Sequence, residues 1–175
     1  MTIKRHTLYI IVMLVSAAMM LPACGNGVVF DDYDHTPIDG WENDDTLSFS
    51  VPRMKASGTY IPSVGLRTTS EFPFTAISLV VEQTVEPGHR IYTDTINCRL
   101  SDDRGNQLGR GINYFQYECP LPQRFLRQGD SLHVTVRHIM KREILPGISD
   151  IGLKLTKRQQ HVKCYCLFVK AMTTF

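Results

Sequence analysis

Ser131-Leu132-His133-Val134-Thr135-Val136-Arg137-His138-Ile139 decides the fold class. Leu132, Val134 and Val136 fall on one side of an extended chain and His133, Thr135 and Arg137 on the other, because successive strand side chains point to opposite faces. The apolar period is two, not 3.6, so the stretch predicts a half-buried strand. Residues 46–51 repeat the pattern, with Leu47, Phe49 and Val51 opposing Thr46, Ser48 and Ser50. Residues 74–81 are apolar on both sides and predict a central strand with layers above and below. Further strands are predicted at 64–69, 89–100, 111–119, 151–155 and 162–169. Turn signals such as Pro87-Gly88, Arg104-Gly105-Asn106, Gln128-Gly129-Asp130 and Pro146-Gly147 separate them. No amphipathic helix of convincing length interrupts the pattern. The expectation is an all-β chain folded as an antiparallel β-sandwich, Ig-like or jelly-roll-like.

The front of the chain has a different character. A basic start with Lys4 and Arg5 precedes an apolar run over residues 8–20, then Leu21-Pro22-Ala23-Cys24. Basic start, short apolar stretch and small residues before a cleavage point read as a secretory signal. The run is too short for a bilayer core, which needs about 20 consecutive apolar residues. A cysteine at the first mature position makes Cys24 the expected lipid attachment site of a bacterial lipoprotein, held stably because one residue carries two or three acyl chains. The expected organisation is a lipoprotein signal peptide over 1–23 and a lipidated tether and turn over 24–45. A sandwich domain follows over 46–156, with an extension over 157–175 that suits an edge strand.

The chain holds 19 basic and 17 acidic residues, and the two leader cations leave with the signal, so the remainder is near neutral. No basic stripe stands out in the sequence, which argues against a nucleic-acid partner. Export permits disulfides among Cys98, Cys119, Cys164 and Cys166, and four thiols allow three full pairings. Were residues 89–100 and 111–119 a hairpin turning about Leu108-Gly109, Cys98 would face Cys119; a bulge in that turn would remove the pairing. Cys98 and Cys119 are therefore the candidate disulfide, against a reading of two buried free thiols.

Motifs for chemistry are sparse. Cys164, Cys166 and nearby His161 make a conceivable ligand cluster, although neither a Cys-x-x-Cys repeat nor paired histidines occur and buried packing explains them as well. Asp102-Asp103-Arg104-Gly105-Asn106 fails the calcium-loop spacing and predicts a turn built on Asx hydrogen bonds. No nucleophile elbow, phosphate-cradling loop or paired carboxylates appear. No catalytic residue, metal site or cofactor is assigned. Trp41, the one tryptophan, is a candidate contact for a partner protein or glycan, or else a plug at one end of the sandwich beside Phe49.

The order of signals resembles the gliding-motility lipoprotein GldH family. The resemblance rests on Cys24, on Val29, Phe30, Asp31 and Tyr33, on Pro37 with Gly40-Trp41, and on Leu47-Ser48-Phe49. It continues through Leu66-Arg67-Thr68, Phe72-Pro73-Phe74, Leu100-Ser101-Asp102 and Gly109-Arg110-Gly111. Most specific is the stretch His138-Ile139-Met140-Lys141-Arg142-Glu143-Ile144-Leu145-Pro146-Gly147-Ile148-Ser149-Asp150-Ile151-Gly152. The chain departs from the pattern by placing Lys141 between Met140 and Arg142, and beyond Thr156 the pattern ends.

The resemblance implies a non-enzymatic, outer-membrane-associated lipoprotein of Bacteroidetes-type bacteria. Its implied partners are the membrane, through the N-terminal lipid, and envelope proteins of a gliding or secretion apparatus. The loops at Gly40-Trp41 and 146–150 are the candidate contact surface. The rival reading is a carbohydrate-binding envelope lipoprotein, with Trp41 as its stacking face. A third, an envelope hydrolase, has no acid and base that the sequence names.

Overall fold

A computed structural model describes residues 27–158. The leader, Cys24, the predicted strand over 162–169 and the cluster of His161, Cys164 and Cys166 lie outside the described residues. Eleven strands run along the described chain: β1 (Val28–His35), β2 (Trp41–Glu42), β3 (Leu47–Val51), β4 (Gly58–Thr69), β5 (Ala76–Glu86), β6 (Arg90–Arg99), β7 (Tyr114–Pro120), β8 (Arg124–Leu126), β9 (Ser131–His138), β10 (Ile144–Leu145) and β11 (Ile148–Lys157). One sheet has the order β1-β11-β4-β7, with β8 pairing β4 below β7; the other has the order β3-β9-β5-β6. Strands β2 and β10 form a small ribbon of their own. All pairings are antiparallel. The fold is an all-β sandwich. Among the described residues no helix is long and apolar enough to cross a membrane.

The alternation in β9 does what its sequence implies. Leu132, Val134 and Val136 are buried, and the same face continues to His138, which is also buried. Opposite them the first sheet contributes Val64 and Leu66 of β4 and Ile151, Leu153 and Leu155 of β11. Each such side chain contributes roughly 1.5–3 kcal/mol when fully removed from water.

Three expectations are corrected. First, residues 28–45 are not a tether: β1 pairs with β11 along its length and Trp41 enters the core. The sandwich begins at Val28. Asp31, Asp32 and Asp34 hide the strand from a periodicity reading, yet charges suit an edge strand because they discourage pairing with another chain. Second, β5 lies inside its sheet but is covered on one face; Ile77, Leu79, Val81 and Val85 are buried while Ala76, Ser78 and Val80 are only half-buried. Third, residues 89–100 and 111–119 are no hairpin. β6 pairs with β5 in one sheet and β7 with β4 in the other. Only β5 and β6 are consecutive strands that pair side by side.

The long strands alternate in direction, while β8 continues the course of β7 because both run antiparallel to β4, so the turns between the long strands sort into two ends. At the lower end lie Gly27, residues 52–57, 87–89 and 127–130, and Arg158. Backbone bonds tie them: Lys157 N–H donates to the Gly27 carbonyl, Met54 N–H to Asp130 and Gly129 N–H to Met54. At the upper end lie residues 36–46, 70–75, 101–113 and 139–147.

Candidate functional site

Four residues of the family resemblance, Tyr33, Arg67, Asp150 and Gly152, scattered in sequence, meet on the outer face of the first sheet. Tyr33 of β1 is in register with Gly152 of β11, Gly152 with Gly65 of β4, and Gly65 with Glu118 of β7. The two adjacent glycines leave a trough in which the phenol ring lies; a Cβ on either would run into it. Glycine inside a strand marks such a close approach. Gln116 Nε2 donates to Tyr33 Oη at 3.1 Å, and the Arg67 guanidinium stacks 4.0 Å from the ring centroid. Asp150 lies 3.9 Å from Arg67 and pairs with His35. Glu118 accepts from Ser63 Oγ at 2.9 Å and Lys154 Nζ at 3.1 Å. Burial pushes the Tyr33 phenol above its ordinary pKa, against the opposing charge of Arg67. It stays protonated near neutrality and serves as a stacking and hydrogen-bonding group. The arrangement is a polar platform suited to recognition. Among the described residues no set of three or more His, Cys, Asp and Glu side chains gathers as a metal site.

The upper end holds the other gathering. β2 pairs with β10, placing Trp41 opposite Leu145. Trp41 is 0% exposed. Its Nε1–H donates to the Asp45 carbonyl at 3.0 Å, and its ring meets His138 edge-on at 5.0 Å between centroids. Burial corrects the expectation of a glycan or partner contact: Trp41 is a core plug and offers no stacking face. The segment 146–150 is no free loop either, since Ile148 and Asp150 are buried and Gly147 packs against Phe72 with φ +75°. Thr69 N–H donates to the Gly147 carbonyl at 2.8 Å, and Thr36 Oγ donates to that of Ile148 at 2.6 Å. Both stretches that the sequence offers as contact loops are scaffold.

His138 closes this clasp. Its Nε2–H donates to the Trp41 carbonyl at 3.0 Å while Met140 N–H approaches Nδ1 at 3.4 Å. Burial pushes the imidazole pKa below 6.5, and the Trp41 carbonyl opposes that only in part. The unfolded chain therefore takes up the proton first. The stabilising contribution is complete above about pH 6.5 and is lost as pH falls toward the folded value. Urea unfolding should show stability falling as pH drops below about 6.5, by up to about 1.4 kcal/mol per unit from this group. His138→Gln should flatten that slope. An unchanged slope in the variant would remove His138 from the account.

A seam joins the sheets along one side. Cys98 of β6 and Cys119 of β7 are bonded, with Cα atoms 5.9 Å apart. They meet across the sandwich, from two edge strands in different sheets, and not as neighbours in a hairpin. Below them Arg124 of β8 reaches Asp94 of β6 at 2.6 and 2.8 Å, stacks on Tyr92, and Gln83 Nε2 donates to the same carboxylate. At 101–107 the Asp102 carboxylate accepts from Arg104 N–H, Asn106 N–H and Asn106 Nδ2, closing the Asx turn.

A sandwich stapled across its sheets by a disulfide belongs to the class of exported β-domains, since such bonds persist outside the reducing cytoplasm. The GldH lipoprotein family model matches residues 28–155, and the chain belongs to that family, which makes it a lipid-anchored lipoprotein of the cell envelope. No curated protein matches it by sequence. Among solved structures it is similar to Eiger TNF from S. frugiperda (15% identity, 78% of this chain and 97% of that one, TM-score 0.30). It is also similar to murine APRIL (14%, 71% and 98%, 0.32) and to a family 16 carbohydrate binding module (12%, 78% and 86%, 0.25). Likenesses this faint bear on neither ligand nor function.

Proposed function

We propose that this protein is an outer-membrane-associated lipoprotein, acylated at Cys24, that serves gliding motility and linked surface-protein secretion without catalysis, through contacts with other envelope proteins. The family match over 28–155 carries this reading, because it begins just past the cysteine of Leu21-Pro22-Ala23-Cys24. Acyl chains confine the domain to a membrane surface, which raises its effective concentration toward partners and lets modest contacts suffice. The Tyr33 platform is the contact face this reading favours, being the polar surface on which Tyr33, Arg67, Asp150 and Gly152 of the family resemblance meet. The glycan reading keeps no such support, since Trp41 is enclosed.

The test is a deletion strain scored for spreading and adhesin secretion, complemented with wild type or Cys24→Ser. Wild type should restore both, and Cys24→Ser should lose fatty-acid labelling, leave the membrane fraction and restore neither. Normal spreading and secretion in the deletion strain would overturn the reading.

A further inference from the structure

The sandwich is electrically polarised. Among the described residues Arg53, Lys55, Arg90, Arg127, Lys157 and Arg158 collect at the lower end, against Glu86 and Asp130. Both acids are engaged, Glu86 by His89 at 2.8 Å and Asp130 by Arg90 at 3.1 Å. Among the described residues Arg53, Lys55, Arg127, Lys157 and Arg158 form no ion pair. The upper end has the opposite balance, with Asp39, Glu42, Asp44 and Asp45 in one loop and further acids in the others. Between the turns 87–90 and 127–130 opens a cleft lined by Arg90, Arg127, Gly88, Gly129 and Asp130, whose carboxylate is taken up by Arg90 and by the Arg127 N–H. Phe125, 61% exposed, lies on β8 two residues before Arg127.

The lipid attachment point enters this same end. A chain spans at most about 3.3–3.6 Å per residue, so Cys24 lies within roughly 14 Å of Val28 at the foot of β1. Attraction of Lys and Arg to anionic lipid falls off within a Debye length, about 8–10 Å. The tether cannot hold the basic end outside that range by much, and it holds no other part of the domain so close.

We propose that the lower end docks on the anionic phospholipid headgroups of the membrane that carries the acyl anchor, with Arg53, Lys55 and Arg127 meeting headgroup phosphate and Phe125 at the interface. The domain then stands on its basic end and presents its acidic end to the envelope space. The inference rests on acylation at Cys24.

The test uses the full processed protein purified from its membrane. It is reconstituted in vesicles of phosphatidylethanolamine alone or with about one third phosphatidylglycerol, and each lysine's rate of acetylation is read by mass spectrometry. In anionic vesicles Lys55 and Lys157 should react at least about threefold more slowly than in detergent, Lys141 at the upper end should be unchanged, and half-molar salt should abolish the protection. The variant Arg53→Glu, Lys55→Gln, Arg127→Glu should keep its acyl mass and lose the protection at Lys157. An acylated chain whose Lys55 and Lys157 react as in detergent overturns the docking alone. Equal protection in neutral vesicles overturns its electrostatic basis. Protection by a soluble polyanion but not by anionic vesicles assigns the end to another partner and overturns it too. A bare amino terminus overturns the anchor reading and the docking with it.

Discussion

Trp41→Ala should destabilise the domain by about 3–5 kcal/mol, the usual cost of emptying a large aromatic site in a core. Against a typical total of about 5–15 kcal/mol, that leaves a protein near its threshold. The site cannot collapse easily, because Trp41 is hemmed by the β10 ribbon, by His138 and by Gly40, where a Cβ would already meet Ile144. Trp41→Phe should recover part of the loss, since it restores apolar volume but not the bond to the Asp45 carbonyl. Urea unfolding followed by circular dichroism measures both variants. A loss under about 1 kcal/mol for the alanine variant would mean that the clasp does not hold the upper end. Being the single tryptophan, Trp41 also reports on the clasp directly through its emission in the intact protein.

Removing the Cys98–Cys119 bond should cost about 3 kcal/mol, by reduction or by the double change Cys98→Ala, Cys119→Ala. The bond closes a loop of sequence separation 21, and the chain-entropy relation gives that magnitude for the constraint it places on the unfolded state. The loss should appear as a lower unfolding midpoint for the reduced protein under otherwise identical conditions. Arg124 and Asp94 hold the same seam, so reduction should loosen it without parting the sheets. Superimposable unfolding curves for oxidised and reduced protein would contradict this. Alkylation of both thiols in the intact protein without reductant would contradict the bond itself.

Fold class was legible wherever one face of a strand meets the core and the other meets water. Leu132, Val134 and Val136 in β9 and Leu47, Phe49 and Val51 in β3 show it, because burial imposes the period on the sequence. Pairing partners were not legible. The stretches around Cys98 and Cys119 are close in sequence and share an inward parity, which a hairpin and a crossing between sheets satisfy equally well. β1 escaped because an edge strand beside three aspartates carries little apolar signal. Trp41 favours the enclosed reading from sequence, as a plug beside Phe49, but a loop position does not say which way the ring turns. The Tyr33 platform left one trace, the glycines at 65 and 152 inside strand patterns, whose meaning depends on the register that brings them together. The basic end left another: its cations sit in turns that the reversals of the long strands gather at one pole although no two of those turns are neighbours in sequence.

β1 rises from the foot of the sandwich to its top and is hydrogen-bonded to β11 from Val28 to His35. Antiparallel ladder bonds stand perpendicular to the strands they join. With the acyl anchor proposed at Cys24, a pull on the upper loops would run along β1 and load its ladder in shear. The bonds would then slip together instead of peeling open singly, which suits a domain proposed to be held at its foot while a partner pulls at its crown.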